Sequence, residues 1–195
     1  MGKRLIIKGA DFSENGIKGV QLKNSIKTTQ DDQFVHILDK IGTFNPAVNS
    51  VEVEYTAHNN SRGYVFIAQS PSRIFTGSNE MQLYYGNNAA AQNAVSIVID
   101  ERASVVLTPT KGYINGEEFE YTQEVVSKAT TEFRVWGGSS NDAGNISIHR
   151  LAVKDAEDNY LVNLLPAIDD EDVACLYDTV SEEFVYAEDG ELLAE

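Results

Sequence analysis

A chain of 195 residues with a net charge of −15 is long enough for one domain that buries ~70% of its unfolded surface around a single core. Its acidity excludes the cationic surface that nucleic-acid phosphates require and disfavours docking on an anionic membrane. Aromatic and β-branched residues are plentiful, with 14 Gly, only 4 Pro and no long polar tract; that is the make-up of a folded, β-rich protein.

The charge is uneven. Residues 1–33 hold six basic side chains (Lys3, Arg4, Lys8, Lys18, Lys23, Lys27) against four acids (Asp11, Glu14, Asp31, Asp32), a net of +2, which leaves −17 for residues 34–195. We read 1–33 as an N-terminal arm and 34–195 as the body, the arm lying on acidic surface, its own or a neighbour's. Within the arm, residues 4–8 and 17–22 read as short strands and 24–33 as polar loop. The apolar core of MGKRLIIKG is only Leu-Ile-Ile, short of the ~7–15 residues of an export signal, and no run approaches the ~18 apolar residues of a helical membrane span.

In the body, residues 34–38 read as a strand and 42–49 as a loop. Val51, Val53, Tyr55 and Ala57 alternate with Glu52, Glu54, Thr56 and His58, a strand with one wet face. Residues 64–69 (YVFIAQ) are apolar on both parities and read as a central strand covered on both sides. We expect loop over 71–79, strand over 81–85, a linker over 86–93, and strands over 95–100 and 104–107. Asn115-Gly116 between strand-like residues signals a two-residue type I′ hairpin, since both positions must accept positive φ. Phe133 and Val135 alternate with Arg134 and Trp136, and GGSSNDAG (137–144) is loop.

From Ile146 the apolar residues fall at Ile146 and Ile148, then at Leu151 and Val153. The alternation slips by one near His149-Arg150, as it does where a strand carries a β-bulge. Residues 155–159 form a polar turn. An apolar run over 160–165 ends at Pro166, which belongs at an edge or strand end. The acids of 169–172 mark a loop, and 173–177 with 183–186 form a hairpin around Asp178-Thr179. Turn signals about every ten residues, without a readable three-turn helix, describe an all-antiparallel β-sandwich.

The stretch LVNLLPAIDDEDVACLYDTVSEEFVY (161–186) resembles the C-terminal signature of concanavalin A-like (laminin-G-like) jelly-roll domains, in which a strand ending in Pro-Ala leads to a Leu-Tyr-Asp and a final aromatic strand. LIIKGADFSENGIK (5–18) resembles a leader found before such domains in phage structural proteins. The resemblance implies an all-β, antiparallel jelly-roll sandwich, found in gut-bacterial surface proteins and in virions of their phages. A surface lectin would carry an export signal, so the expectation is a non-enzymatic virion protein: a head or tail decoration or fibre-like element. Its arm would meet other virion proteins or further copies in a homo-oligomer, and its sandwich would bind host or mucosal glycans. The alternative is a bacterial carbohydrate-binding or glycosidase-like domain of the same fold.

Four sets of residues could carry chemistry. Glu52 and Glu54 put two carboxylates on one strand face, as glycoside hydrolysis requires. The Glu-x-Asp-x-x-Glu run of the jelly-roll hydrolases is incomplete here, with Ala57 at the third acid, so we expect no catalysis. Asn141, Asp142 and Asn145, and the acids of 169–172, offer oxygens to Ca2+ without the spacing of a known calcium loop; no cofactor is expected, with Ca2+ the one candidate ion. His36, His58 and His149 lack metal spacing, and the lone Cys175 reads as a buried small hydrophobe. For a sugar, Trp136 and Tyr84 offer rings on the parity opposite the apolar set, with Arg134, Asn87, Asn88 and Asn141 as polar neighbours.

Overall fold

The computed structural model describes residues 19–29, 33–59, 63–68, 72–77, 80–86, 93–136, 146–188 and 191–195. The strands, in order, are β1 (Gln21–Leu22), β2 (Ile26–Thr28), β3 (Val35–His36), β4 (Ser50–Ala57), β5 (Gly63–Ala68), β6 (Ser72–Gly77), β7 (Glu80–Tyr84), β8 (Asn93–Ser96), β9 (Arg102–Leu107), β10 (Lys111–Ile114), β11 (Glu117–Glu120), β12 (Phe133–Val135), β13 (Ile146–Lys154), β14 (Tyr160–Ile168), β15 (Ala174–Asp178), β16 (Glu183–Val185) and β17 (Leu192–Ala194). One helical turn, α1 (Leu38–Ile41), follows β3. All pairings are antiparallel.

Two sheets result. The larger runs β11-β10-β9-β4-β13-β14-β15-β16, with β2 on the first half of β13, β17 on β2, and β1 on the end of β14. The smaller runs β3-β12-β5-β6-β7-β8. Val53, Leu151 and Leu164 of the first sheet and Ile74, Leu83 and Phe133 of the second belong to one buried cluster. The two sheets therefore close on a shared core, as a sandwich does. Buried polar handles tie them together. The Tyr55 hydroxyl donates to Met81 Sδ at 2.7 Å, the Tyr85 hydroxyl donates to the Asn49 carbonyl, and Trp136 Nε1 donates to the Ile146 carbonyl at 3.1 Å.

Several expectations hold. The parity slip is a bulge: Ile148 pairs with Tyr55 and Arg150 with Glu54, which leaves His149 as the extra residue. Asn115 (φ 51°) and Gly116 (φ 87°) form the two-residue turn between β10 and β11. The hairpin about Asp178-Thr179 is β15–β16. Cys175 is fully buried, and burial pushes its thiol up to about 12.

Others are corrected. Residues 72–77 are a strand, not a loop, because Ser72, Ile74 and Thr76 face inward and their hydroxyls find backbone partners: Ser72 Oγ accepts from Gly86 N–H at 3.1 Å, and Thr76 Oγ1 donates to the Gly63 carbonyl at 3.3 Å. The apolar run of β5 is not covered on both sides. A bulge at Val65 turns both Val65 and Phe66 inward, while Tyr64 and Ile67 stay half-exposed. The strand expected over 34–38 is only two residues long before α1 begins, and that expected over 95–100 is Asn93–Ser96, followed by a turn. β14 runs through Pro166 to Ile168. Within the arm, the expected loop of 24–33 contains β2, whose Ile26 is fully buried. Residues 4–8, and the linker of 87–92, lie outside the described residues.

Candidate functional site

The outward face of the larger sheet carries an open groove of about 720 Å³. Register builds it. Glu54 of β4 pairs with Ser104 of β9, and Val106 of β9 pairs with Tyr113 of β10. Alternation sends these side chains to the same outer side. Arg102 and the Asn115-Gly116 turn complete the lining. Arg102 forms an ion pair with Glu54, and Asn115 Oδ1 accepts from Ser104 N–H at 2.9 Å, which holds the hairpin over β9. The groove thus offers an aromatic ring, an amide, a hydroxyl and a guanidinium–carboxylate pair. These are groups that take up the CH face and the hydroxyls of a sugar.

The neighbouring Glu52 is committed to structure. Its carboxylate takes Arg150 Nη1 and Lys154 Nζ, both at 2.8 Å. Burial works against the Lys154 ammonium, but its bonds to Glu52 and Asp158 prevail and hold its pKa above the usual lysine value. Each Glu52 carboxylate oxygen is thus held by a cation, one on Arg150 and one on Lys154.

Further along the same face, Thr56 and Ser147 are cross-strand partners; Thr56 is hydrogen-bonded to His149 of β13, and Ser147 to His58, the residue that follows β4. Thr56 Oγ1 lies 2.8 Å from His149 Nε2, and Ser147 Oγ lies 2.8 Å from His58 Nε2. His58 Nδ1 lies 2.7 Å from Asp100 Oδ1. Hydroxyl, imidazole and carboxylate are in triad order. Ser147, however, is 1% exposed, so its hydroxyl is closed to an incoming carbonyl. The arrangement knits β4, β13 and the turn before β9.

Among the described residues, Trp136 is not brought together with Tyr84 and Arg134 as the expected sugar site requires. Trp136, expected at a rim or on an open face, is fully buried. The parity argument assumed continuing strand, but Trp136 takes φ 57°, so the alternation stops at Val135 and the indole drops inward. Tyr84 and Arg134 do share a face, the outside of the smaller sheet, in one cross-strand row: His36, Arg134, Ile67, Arg73, Tyr84. Ile67 and Arg73 separate them, and each is already engaged. The Arg73 guanidinium lies 4.1 Å over the Tyr84 ring, while that of Arg134 lies 4.5 Å over Phe34 and pairs with Glu132. Asn87, Asn88 and Asn141 lie outside the described residues, as do Asp142 and Asn145.

Among the described residues no three His, Cys, Asp or Glu side chains converge as metal ligands. In the acidic 169–172 turn, Asp169 Oδ1 accepts from Glu171 and Val173 N–H at 3.0 and 2.9 Å, and Oδ2 accepts from the Tyr186 hydroxyl at 2.6 Å. The Tyr186 bond, with the backbone bonds behind it, holds the Asp169 carboxyl below its usual range.

No family model matches the chain, and no curated protein matches it. The groove residues Ser104, Arg102 and Tyr113 escaped the sequence reading because only the β4–β9–β10 register assembles them; the one sequence signal nearby was the Asn-Gly turn.

Proposed function

We propose that this chain is a non-enzymatic structural protein of a phage virion, a jelly-roll module of a head or tail decoration or fibre-like element. The outer face of its larger sheet would bind host or mucosal glycans, and its N-terminal arm, residues 1–33, would join it to other virion proteins. The observation that carries the binding reading is the groove, where Tyr113, Ser104, Asn115 and the Glu54–Arg102 pair line one open depression. The setting is supported by the resemblance of residues 161–186 to concanavalin A-like jelly-roll domains and of residues 5–18 to a leader that precedes such domains in phage structural proteins.

A glycan array tests the binding. Tyr113→Ala is expected to lose retention while the melting temperature changes by no more than a few degrees, and Tyr84→Ala, on the other sheet, is expected to keep it. A wild-type protein that retains no glycan, or a Tyr113→Ala protein that binds as before, sinks the glycan reading. Absence of the protein from purified particles sinks the virion reading.

A further inference from the structure

Four cations project from the strands around the groove, and each is already held by a carboxylate. Alternation puts Arg102, Lys111, Arg150 and Lys154 on the outward side of β9, β10 and β13, and the sequences of β4, β9, β10, β11 and β13 contain no other Lys or Arg. Arg102 pairs with Glu54, and Lys111 Nζ lies 2.6 Å from Glu118 Oε2. Glu52 takes Arg150 and Lys154, and Asp158 also reaches Lys154 at 2.9 Å. Glu120, the cross-strand partner of Lys111, adds an exposed carboxylate on the same side. The four cations thus face five carboxylates, on a chain whose net charge is −15. An incoming anion finds no spare cation there and enters a field of the wrong sign.

A neutral ring meets no such barrier. Tyr113 and Val106 are cross-strand neighbours, in one row between Glu118 and Glu52. A ring lying on them has a carboxylate about one strand spacing, ~4.8 Å, beyond either end of the pair. Ser104 and Asn115 offer a hydroxyl and an amide, which serve sugar hydroxyls without any charge. We propose, resting on the glycan reading above, that the groove takes an uncharged saccharide and rejects sugars that carry a carboxylate or a sulfate. Glu54 is the centre of the rejection. Its side chain is 33% exposed and that of its partner Arg102 is 53% exposed, so the pair stands within reach of a ligand. An anionic sugar that drew Arg102 to itself would leave the Glu54 carboxylate beside a second negative group. Like charges so placed exclude the wrong ligand more than they weaken the right one.

Binding of the full chain to glycans that differ only in a terminal sialic acid, which supplies the carboxylate, is the test. The neutral member is expected to be retained at least about tenfold more strongly than its sialylated twin. That preference is expected to shrink as NaCl is raised from about 0.05 to about 0.5 M, because salt screens the repulsion; a merely steric exclusion would not move. Glu54→Gln, which removes the negative partner and frees Arg102, is expected to cut the preference at least about threefold. Equal or stronger retention of the sialylated member, a preference indifferent to salt, or one unchanged by Glu54→Gln each overturns the proposal and leaves glycan binding standing. Retention of neither member by the wild type overturns both.

Discussion

Trp136 is the only tryptophan, and its left-handed backbone converts a surface position into a core one. Its backbone N–H donates to the carbonyl of Val65, the bulged residue of β5, at 3.1 Å, so a strand end and a bulge lock together under one indole. Trp136→Phe leaves the Ile146 carbonyl unpaired and opens space, at an expected cost of about 2–4 kcal/mol in urea unfolding; a loss below half a kcal/mol would contradict the burial. His149 sets a pH dependence. Burial, with Arg102 and His58 nearby, lowers its pKa from 6.5, against the pull of the Asn24 carbonyl and Glu54. The unfolded chain therefore takes up the proton first, and this contribution to stability declines as pH falls below about 6.5. His149→Gln is expected to flatten the stability curve between pH 7.5 and 5.5 relative to wild type. An identical slope in the two proteins would exclude His149 as its source. Pro166 is tolerated inside β14 because its side of the strand faces the gap between β13 and β1. Its carbonyl accepts from Lys23 N–H at 2.9 Å, and no ladder donor is needed there.

Turn chemistry shapes the hairpins. Asp155 and Asp169 each open a turn in which the first residue pairs with the fifth, and the fourth (Asp158, Asp172) takes positive φ. This is the type I turn with a left-handed closing residue. Each Asp side chain accepts backbone N–H groups two and four residues on, which is why these acids cluster at turns rather than around an ion. In the β10–β11 hairpin, Phe119 lies across Gly112, and a Cβ at Gly112 would fall 2.1 Å from the ring. Gly112→Val is expected to cost about 1–3 kcal/mol by forcing the ring aside, read from the denaturation midpoint. A neutral substitution would mean that Phe119 does not rest there.

At the scale of the molecule, β2 and the C-terminal β17 seal each other. Among the described strands β17 pairs only with β2. Glu195 extends that seam: its carbonyl accepts from Asn24 and Ser25 N–H, and its carboxylate takes Lys27 Nζ at 2.5 Å. Fully buried Gln33 adds a bond from Nε2 to the Glu191 carbonyl at 3.0 Å. Removing residues 1–33 would delete Ile26 from the core, uncover Leu192 and orphan β17, a loss expected to exceed about 3–5 kcal/mol. Removing 1–18 is expected to leave one cooperative unfolding transition. Calorimetry of both truncations decides the matter, and equal stability would refute the seam.

Local pattern alone determined the β class, the bulge at His149, the Asn-Gly hairpin and the acidic turns, because each depends on neighbours a few residues apart, where a period of two or a positive φ leaves its mark. Tertiary structure alone decided where Trp136 points, that 72–77 and 26–28 are strands, and that Glu54, Arg102, Ser104 and Tyr113 share a groove. Those outcomes depend on which strands pair and in what register, and residues as far apart as Ile26 and Ala194 carry no local trace of one another.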